Sequence, residues 1–314
     1  MAELRLAPGF RVGHAGDVRL GSGVSVIIAD APATAGVVVQ GGAPGTRETD
    51  LLNPAKTVQQ VDALALSGGS AYGLDAASGA QAWLRSKGRG FPVGPHLVPI
   101  VPAAILFDLN PNATWETWPP YRDLAWLACE AASVKPALGS VGAGAGATTG
   151  TGKGGFGMAS TLLPGDVVIT AVVAVNAVGS VYVGSTRHFW AAPFEEEGEF
   201  GGRGYPQPWP LNATELMLKG ARQRENTTIG AILTNVGLDQ AECTQLATMA
   251  HDGFARAIYP AHTPFDGDLI FAASSGQVPL ADNLPLLVLG TLAANTMARA
   301  IARGVYEAEG GAKQ

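Results

Sequence analysis

The stretch Glu225-Asn226-Thr227-Thr228-Ile229-Gly230-Ala231-Ile232-Leu233-Thr234-Asn235 constrains this chain most, because a polar head opens directly into a strand-like run. It follows a long, polar segment rich in Gly and Pro. A threonine at the head of a buried strand is an ordinary β-former, since its branched side chain suits a pleated surface. It is a nucleophile instead if the peptide bond before it is cut. The freed α-amine then sits on the same residue as the hydroxyl and serves as its base.

At 314 residues the chain can form one large domain or two medium ones. Only 15% of it is charged, well under the roughly 25% of an average soluble protein. Together with 47% hydrophobic residues and 42 glycines, this predicts a large, loop-laced core and a subunit interface. The net charge of -6 and the lack of any Lys/Arg-rich run argue against a nucleic-acid partner. Cys129 and Cys243 are too few and too far apart for a disulfide framework or a metal knuckle. Met1-Ala2-Glu3-Leu4-Arg5-Leu6 lacks the apolar core of a signal peptide. No apolar run reaches the roughly 18 residues of a membrane span. The expectation is a soluble, cytoplasmic, globular protein with no membrane partner.

In chain order, residues 23–29 and 35–40 predict two strands joined by a Pro-containing turn. A strand over Asp62–Ser67 runs through Gly68-Gly69-Ser70-Ala71-Tyr72-Gly73 into a helix over Leu74–Lys87. Such a transition points backbone N–H groups at a ligand, although Tyr72 at its mouth also suits simple packing. A buried edge segment over Pro99–Asp108 precedes a helix near Arg122–Ser133. Gly139 to Gly155 is the most glycine-rich stretch. Its Gly150-Thr151-Gly152-Lys153-Gly154-Gly155 matches a dinucleotide fingerprint, but no strand leads in and no helix follows. A phosphate-loop match fails because Ala147 stands where its first Gly belongs and Gly154 follows the lysine. The stretch reads as backbone close to other backbone or to substrate, with Lys153 projecting or merely solvated. Residues 167–176 and 179–183 predict a strand pair turning at Asn176. Ala191–Arg224 is a linker by composition. Sequons at Asn112, Asn212 and Asn226 carry no weight without a sign of secretion. Asp239 and Glu242 form a capping signature. Phe265-Asp266-Gly267-Asp268 contains a turn signal, and an Ala-rich helix near Leu286–Tyr306 closes the chain.

Familiar hydrolytic schemes are missing. There is no Gly-x-Ser-x-Gly elbow, no Cys with a convincing His, and no metal-ligand spacing among His14, His96, His188, His251 and His262. An amide hydrolase without a histidine base needs another base. An N-terminal amine qualifies, with an unperturbed pKa near 8, close to working pH.

The motifs Gly41-Gly42-Ala43-Pro44-Gly45-Thr46-Arg47-Glu48-Thr49-Asp50, Leu66 to Asp75, Val98 to Ala104 and Val141 to Gly146 resemble the L-aminopeptidase/D-amino-acid esterase family. These are self-cleaving N-terminal nucleophile hydrolases of the DmpA type, related in fold to ornithine acetyltransferase. The resemblance runs from about Pro8 to about Ala302 and breaks down mainly across Ala191–Arg224. Asn226-Thr227-Thr228-Ile229 and Phe265-Asp266-Gly267-Asp268 are most similar to the branch of the nylon-oligomer (6-aminohexanoate oligomer) hydrolases.

The resemblance implies an α+β fold, a four-layer αββα sandwich. It implies one folding unit over residues 1–314, self-cleaved at Asn226–Thr227 into 1–226 and 227–314. Thr227 is then the nucleophile, with Lys153 near it and Asn176 helping to hold the oxyanion. Tyr72 is the site tyrosine, and Asp266 and Asp268 are paired carboxylates. No cofactor and no metal are implied. The expected partners are a small or oligomeric amide substrate and other copies of the chain, in a dimer or tetramer of heterodimers. An aminopeptidase or D-amino-acid esterase acting on small peptides is the other activity the resemblance allows.

Overall fold

The computed structural model describes residues 4–111, 114–219, 226–280 and 284–311. The sequon at Asn112 and the last part of the Ala191–Arg224 segment, 220–224, lie outside them. The chain opens with β1 (Phe10–Asp17) folded back on β2 (Ser22–Val39). Two strands were expected where β2 runs as one; an irregularity in register between Ile28 and Ala33 accommodates Pro32 without ending it. After β3 (Thr46–Arg47) and β4 (Gln60–Ser67), a short 3-10 turn leads into α1 (Ala76–Ser86). The small hairpin of β5 (Phe91–Val93) and β6 (His96–Val98) precedes β7 (Ala103–Ile105) and α2 (Tyr121–Glu130).

A second small hairpin, β8 (Thr148–Thr149) with β9 (Gly152–Lys153), ends the glycine-rich stretch. The long strands β10 (Gly155–Leu163) and β11 (Val167–Val175) follow. The nucleophile candidate then leads into β12 (Ile229–Val236), with α3 (Gln240–Ala250), α4 (Asp252–Ala257), β13 (Leu269–Val278) and α5 (Leu286–Ala308) behind it. Asp239 and Glu242 form a complete capping box on α3, as expected. The predicted pairing of 167–176 with 179–183 does not form. β11 pairs instead with β10 and β12, while Ser180 and Tyr182 bridge Tyr259 and Phe189.

Nine strands form one mixed sheet in the order β10-β11-β12-β13-β2-β4-β7-β3, with β1 added on β2. β11 and β12 are buried along their whole length, which explains why they read as near-continuous apolar runs. One apolar cluster joins β11, β12 and β13 to α3, α4 and α5. A second gathers side chains of β1, β2 and β4 with others of β10 to β13. A third joins β2 and β4 to α1 and α2. Helix α5 approaches β10 so closely that a Cβ on Gly157 would meet the Ala300 carbonyl oxygen at 1.9 Å, so only glycine fits there.

The segment expected to be a linker is packed. Phe200 and Ala213 are buried, and buried Glu199 pairs with Arg299 of α5. Breaker-rich composition here reflects irregular backbone, held by side chains instead of by a ladder.

Register decides where the site falls. β12 and β13 are parallel neighbours with Ile229 opposite Leu269, so the residues before each strand emerge side by side at one end. Asn226 bridges Asp266 there. On the other flank Ala174 of antiparallel β11 faces Ile229, which delivers Asn176 to the same place.

Candidate active site

Thr227 is buried, and its backbone N–H donates to the Asn176 carbonyl at 2.9 Å. Its hydroxyl donates to the carbonyl oxygen of Asn226 at 2.5 Å. That same oxygen accepts the Gly267 N–H at 2.9 Å. The carbonyl before the threonine is therefore polarised by two donors, one of them the hydroxyl of the residue that follows it. Gly267 must be glycine: a Cβ would meet Thr227 Oγ1 and the Ala43 carbonyl oxygen, each at 2.7 Å.

Gly267 sits between two buried carboxylates that grip the surrounding backbone. Asp266 Oδ1 accepts Val178 N–H, and its Oδ2 accepts the N–H and hydroxyl of Thr263. Asp268 Oδ1 accepts Thr228 N–H at 2.8 Å, and its Oδ2 accepts the backbone N–H and Nδ1 of His262. Each carboxylate thus takes three hydrogen bonds from the protein itself. Burial, and then the charge of Asp268, pushes the Asp266 carboxyl above its ordinary range.

Asn176 is brought to Thr227 through its backbone, while its side chain is committed elsewhere. Its Oδ1 accepts from Thr148 N–H and from Lys219 Nζ, and its Nδ2 donates to the Phe107 carbonyl. Two donors on one atom fix that atom as the oxygen, and the amide nitrogen donates to Phe107. Gly267 N–H is the backbone donor on the Asn226 carbonyl oxygen. Sequence reasoning missed it because a glycine in an Asp-Gly pair signals a turn before anything else.

Lys153 is not brought to this place. It lies exposed on β9 with its ammonium on the Ala308 carbonyl at the end of α5. Lys219, in the segment read as a linker, donates to Asn176 Oδ1 at 2.9 Å. Burial lowers its pKa to about 8, against the pull of the Asp108 and Asp266 charges. Asp108 is itself pushed up to about 6 by burial, although Gly69 N–H and Ser22 donate to its Oδ1. Tyr72 stays 52% exposed and packs edge-on against Trp115. Its neighbours Ser70 and Ala71 line the cavity that reaches Thr227.

That cavity has a volume of about 250 Å³ and is walled by Ala43, Pro44, Gly45, Ile105, Phe107 and Phe265, with Asn226 and Thr227 also exposed to it. Ser70 at its edge holds a left-handed backbone (φ 54°), a conformation that costs a non-glycine residue energy and clusters at functional sites. Among the described residues no group of three or more His, Cys, Asp or Glu could hold a metal ion. No helix among them is long and apolar enough to cross a membrane.

Comparison with known proteins fits this geometry. A chain of Mycobacterium tuberculosis (strain ATCC 25618 / H37Rv), named an uncharacterized aminopeptidase, is 42% identical over 96% of this chain and 92% of its own. The 6-aminohexanoate-oligomer endohydrolase of Kocuria sp. (strain KY2) is 31% identical, over 87% of this chain and 75% of its own. In three dimensions the chain is similar to the L-aminopeptidase D-Ala-esterase/amidase of Ochrobactrum anthropi, described as a variant of the Ntn hydrolase fold. The TM-score is 0.67 at 18% identity, covering 97% of this chain and 87% of that one. The family model of peptidase family S58 matches residues 7–313. The protein is a member of peptidase family S58, an amide-bond hydrolase.

Proposed function

We propose that the chain is an N-terminal nucleophile amidohydrolase that cuts itself between Asn226 and Thr227. Residues 1–226 and 227–314 then stay together as one folding unit in a four-layer αββα sandwich. The observation that carries the reading is the convergence of the Thr227 hydroxyl and Gly267 N–H on the Asn226 carbonyl oxygen. In the first step Thr227 Oγ1 bonds to the Asn226 carbonyl carbon, the peptide C–N bond breaks, and the Thr227 nitrogen takes the hydroxyl proton. Water opens the resulting ester and leaves a free α-amine beside a free hydroxyl. In turnover the amine takes the hydroxyl proton as the oxygen attacks a substrate amide. Gly267 N–H is placed to hold the oxyanion. The leaving amine departs protonated, and water hydrolyses the threonyl ester.

The three separate apolar clusters support the layered arrangement, because each helix group packs on a different part of the sheet. The apolar walls of the cavity support an aliphatic acyl group as the part that enters it. Asp266 and Asp268 are buried and each already accepts three hydrogen bonds from the protein, which leaves little room for a free substrate amine. This favours amide bonds of linear oligomers, such as 6-aminohexanoate oligomers, without a requirement for a free amino terminus. The aminopeptidase reading is favoured instead by the name of the 42% identical relative. Assay of purified protein on an N-acetylated 6-aminohexanoate oligomer and on a dipeptide amide separates them. Preferred cleavage of the acetylated oligomer upholds the first, and activity only on substrates with a free amine replaces it with the second. Self-association as a dimer or tetramer of heterodimers belongs to the same proposal and is read by light scattering.

A further inference from the structure

Behind Asp268 lies a chain of buried polar groups that the hydrolytic reading does not use. His262 Nδ1 meets Asp268 Oδ2 at 2.9 Å, His262 Nε2 meets His251 Nδ1 at 3.3 Å, and His251 Nε2 meets the Val38 carbonyl oxygen at 3.0 Å. His262 stacks on Phe254 and holds a left-handed backbone (φ 54°), so the ring is fixed in the chain by packing. Asp266 lies beside Asp268, and Asp252 at the start of α4 acts on His251.

Counting hydrogens along the three contacts gives one more than two neutral imidazoles can supply. A carbonyl oxygen only accepts, so His251 Nε2 carries the hydrogen toward Val38. A neutral His251 then presents a bare Nδ1, to which His262 Nε2 must donate. Burial pushes His251 down to about 4, in keeping with its neutral form. At the other end Asp268 already accepts the Thr228 and His262 backbone N–H groups, so its oxygens face donors there. His262 Nδ1 must therefore donate as well.

We propose that His262 is an imidazolium, the built-in counter-ion of Asp268, and that it is a positioning residue which sets the charge felt by the Thr227 α-amine. The consequence for that amine rests on the function proposed above; the protonation of His262 does not. With Asp268 balanced by His262, a new ammonium on Thr227 gains little from that carboxylate and gives up its proton more readily. The amine is then free to act as base at working pH.

The direct test is ¹⁵N NMR of the mature, histidine-labelled protein at pH 7.5. His262 is assigned by His262→Gln, or, if that variant does not fold, by elimination after replacing His14, His96, His188 and His251 in turn. Two protonated ring nitrogens on His262 and one on His251 are expected. A single protonated nitrogen on His262 overturns the proposal, whichever ring atom holds it. The kinetic arm compares pH profiles of kcat/KM for the wild type and His262→Gln. Loss of the counter-ion should move the acidic limb upward by about one pH unit, because Asp268 then stabilises the ammonium. A change in amplitude with the limb unmoved contradicts the link to the amine. Failure of the Thr227 reading is seen separately, as hydrolysis by Thr227→Ala.

Discussion

Glu199 and Asp268 are both buried carboxylates, yet the molecule treats them in opposite ways. Glu199 faces Arg299 directly, at 2.5 Å and 3.1 Å to two nitrogens of the guanidinium, with Arg303 at 3.5 Å. Glu196 adds a second carboxylate to Arg299 at 2.8 Å. This cluster pins the irregular segment before the site onto α5. Asp268 faces backbone N–H groups and an imidazole, and its neighbour Asp266 faces backbone and a hydroxyl. Charge matched by charge fixes one element on another. A carboxylate held by backbone N–H groups and one imidazole fixes the backbone and the ring beside it. The first arrangement suits stability and the second a reacting centre.

The largest effect should come from the centre of the second region. Thr227→Ala removes the hydroxyl that donates to the Asn226 carbonyl, so self-cleavage stops and hydrolysis falls to background, by about 10⁴-fold or more. Measurable turnover by that variant would break the contrast between the two regions. Glu199→Gln strikes the first region. It leaves Arg299 and Arg303 buried with Glu196 and Glu307 as remaining partners, and should cost about 3–5 kcal/mol in denaturant unfolding. The rate per folded molecule should not change, and a lower kcat at full stability would show that the two regions are coupled.

Gly267→Ala places a methyl group against Thr227 Oγ1 and the Ala43 carbonyl. Displacing one oxyanion donor costs about 10²-fold, so processing and kcat should both fall by that order while KM changes little. Next in size is the exchange of lysines. Lys219→Met should slow self-cleavage about tenfold, because a buried cation beside Asp108 and Asp266 is lost. Lys153→Met should leave it within about twofold. The reverse order would restore Lys153 to the site.

Much of the fold was legible because apolar runs and caps are local. β11, β12, α3 and α5 follow from runs and a capping box that any reader of the sequence can see. The position of Asn226 and Thr227 at the head of a buried strand was legible, since the polar pair opens directly into an apolar run. What the sequence hid depends on contacts between distant segments. Lys219 sits in a segment whose prolines and glycines read as a linker, and nothing local says that its ammonium reaches Asn176 across 43 positions. Lys153 stood out only because glycines surround it. Gly267 became visible as a donor only once β12 and β13 proved to be parallel neighbours in register. The relay of His251 and His262 was hidden for the same reason, since the spacing suggested no metal site and the shared partner is a carboxylate.

The smallest effect concerns pH. Burial holds His14 and His251 to about 4 in the folded chain, against an ordinary 6.5. Above 6.5 neither state binds the protons, so neither histidine affects stability. As pH falls from 6.5 toward 4 the unfolded chain takes them up and the folded chain does not, so stability falls. Each histidine should contribute at most about 1.4 kcal/mol per pH unit across that window. Asp108, pushed up to about 6, gives a slope of opposite sign below pH 6, so the His14 share is read by difference: His14→Asn should lower the slope of stability against pH between 6.5 and 4 by up to about 1.4 kcal/mol per pH unit. An unchanged slope would mean that His14 takes a proton in the folded state.

Mass spectrometry of the intact purified protein, with N-terminal sequencing, tests the central claim most directly. The two regions predict two co-purifying fragments, residues 1–226 and 227–314, the smaller beginning Thr-Thr-Ile-Gly. They should appear without added protease, and Thr227→Ala should remain a single chain. A fully active preparation holding only the uncut 314-residue chain would contradict the account.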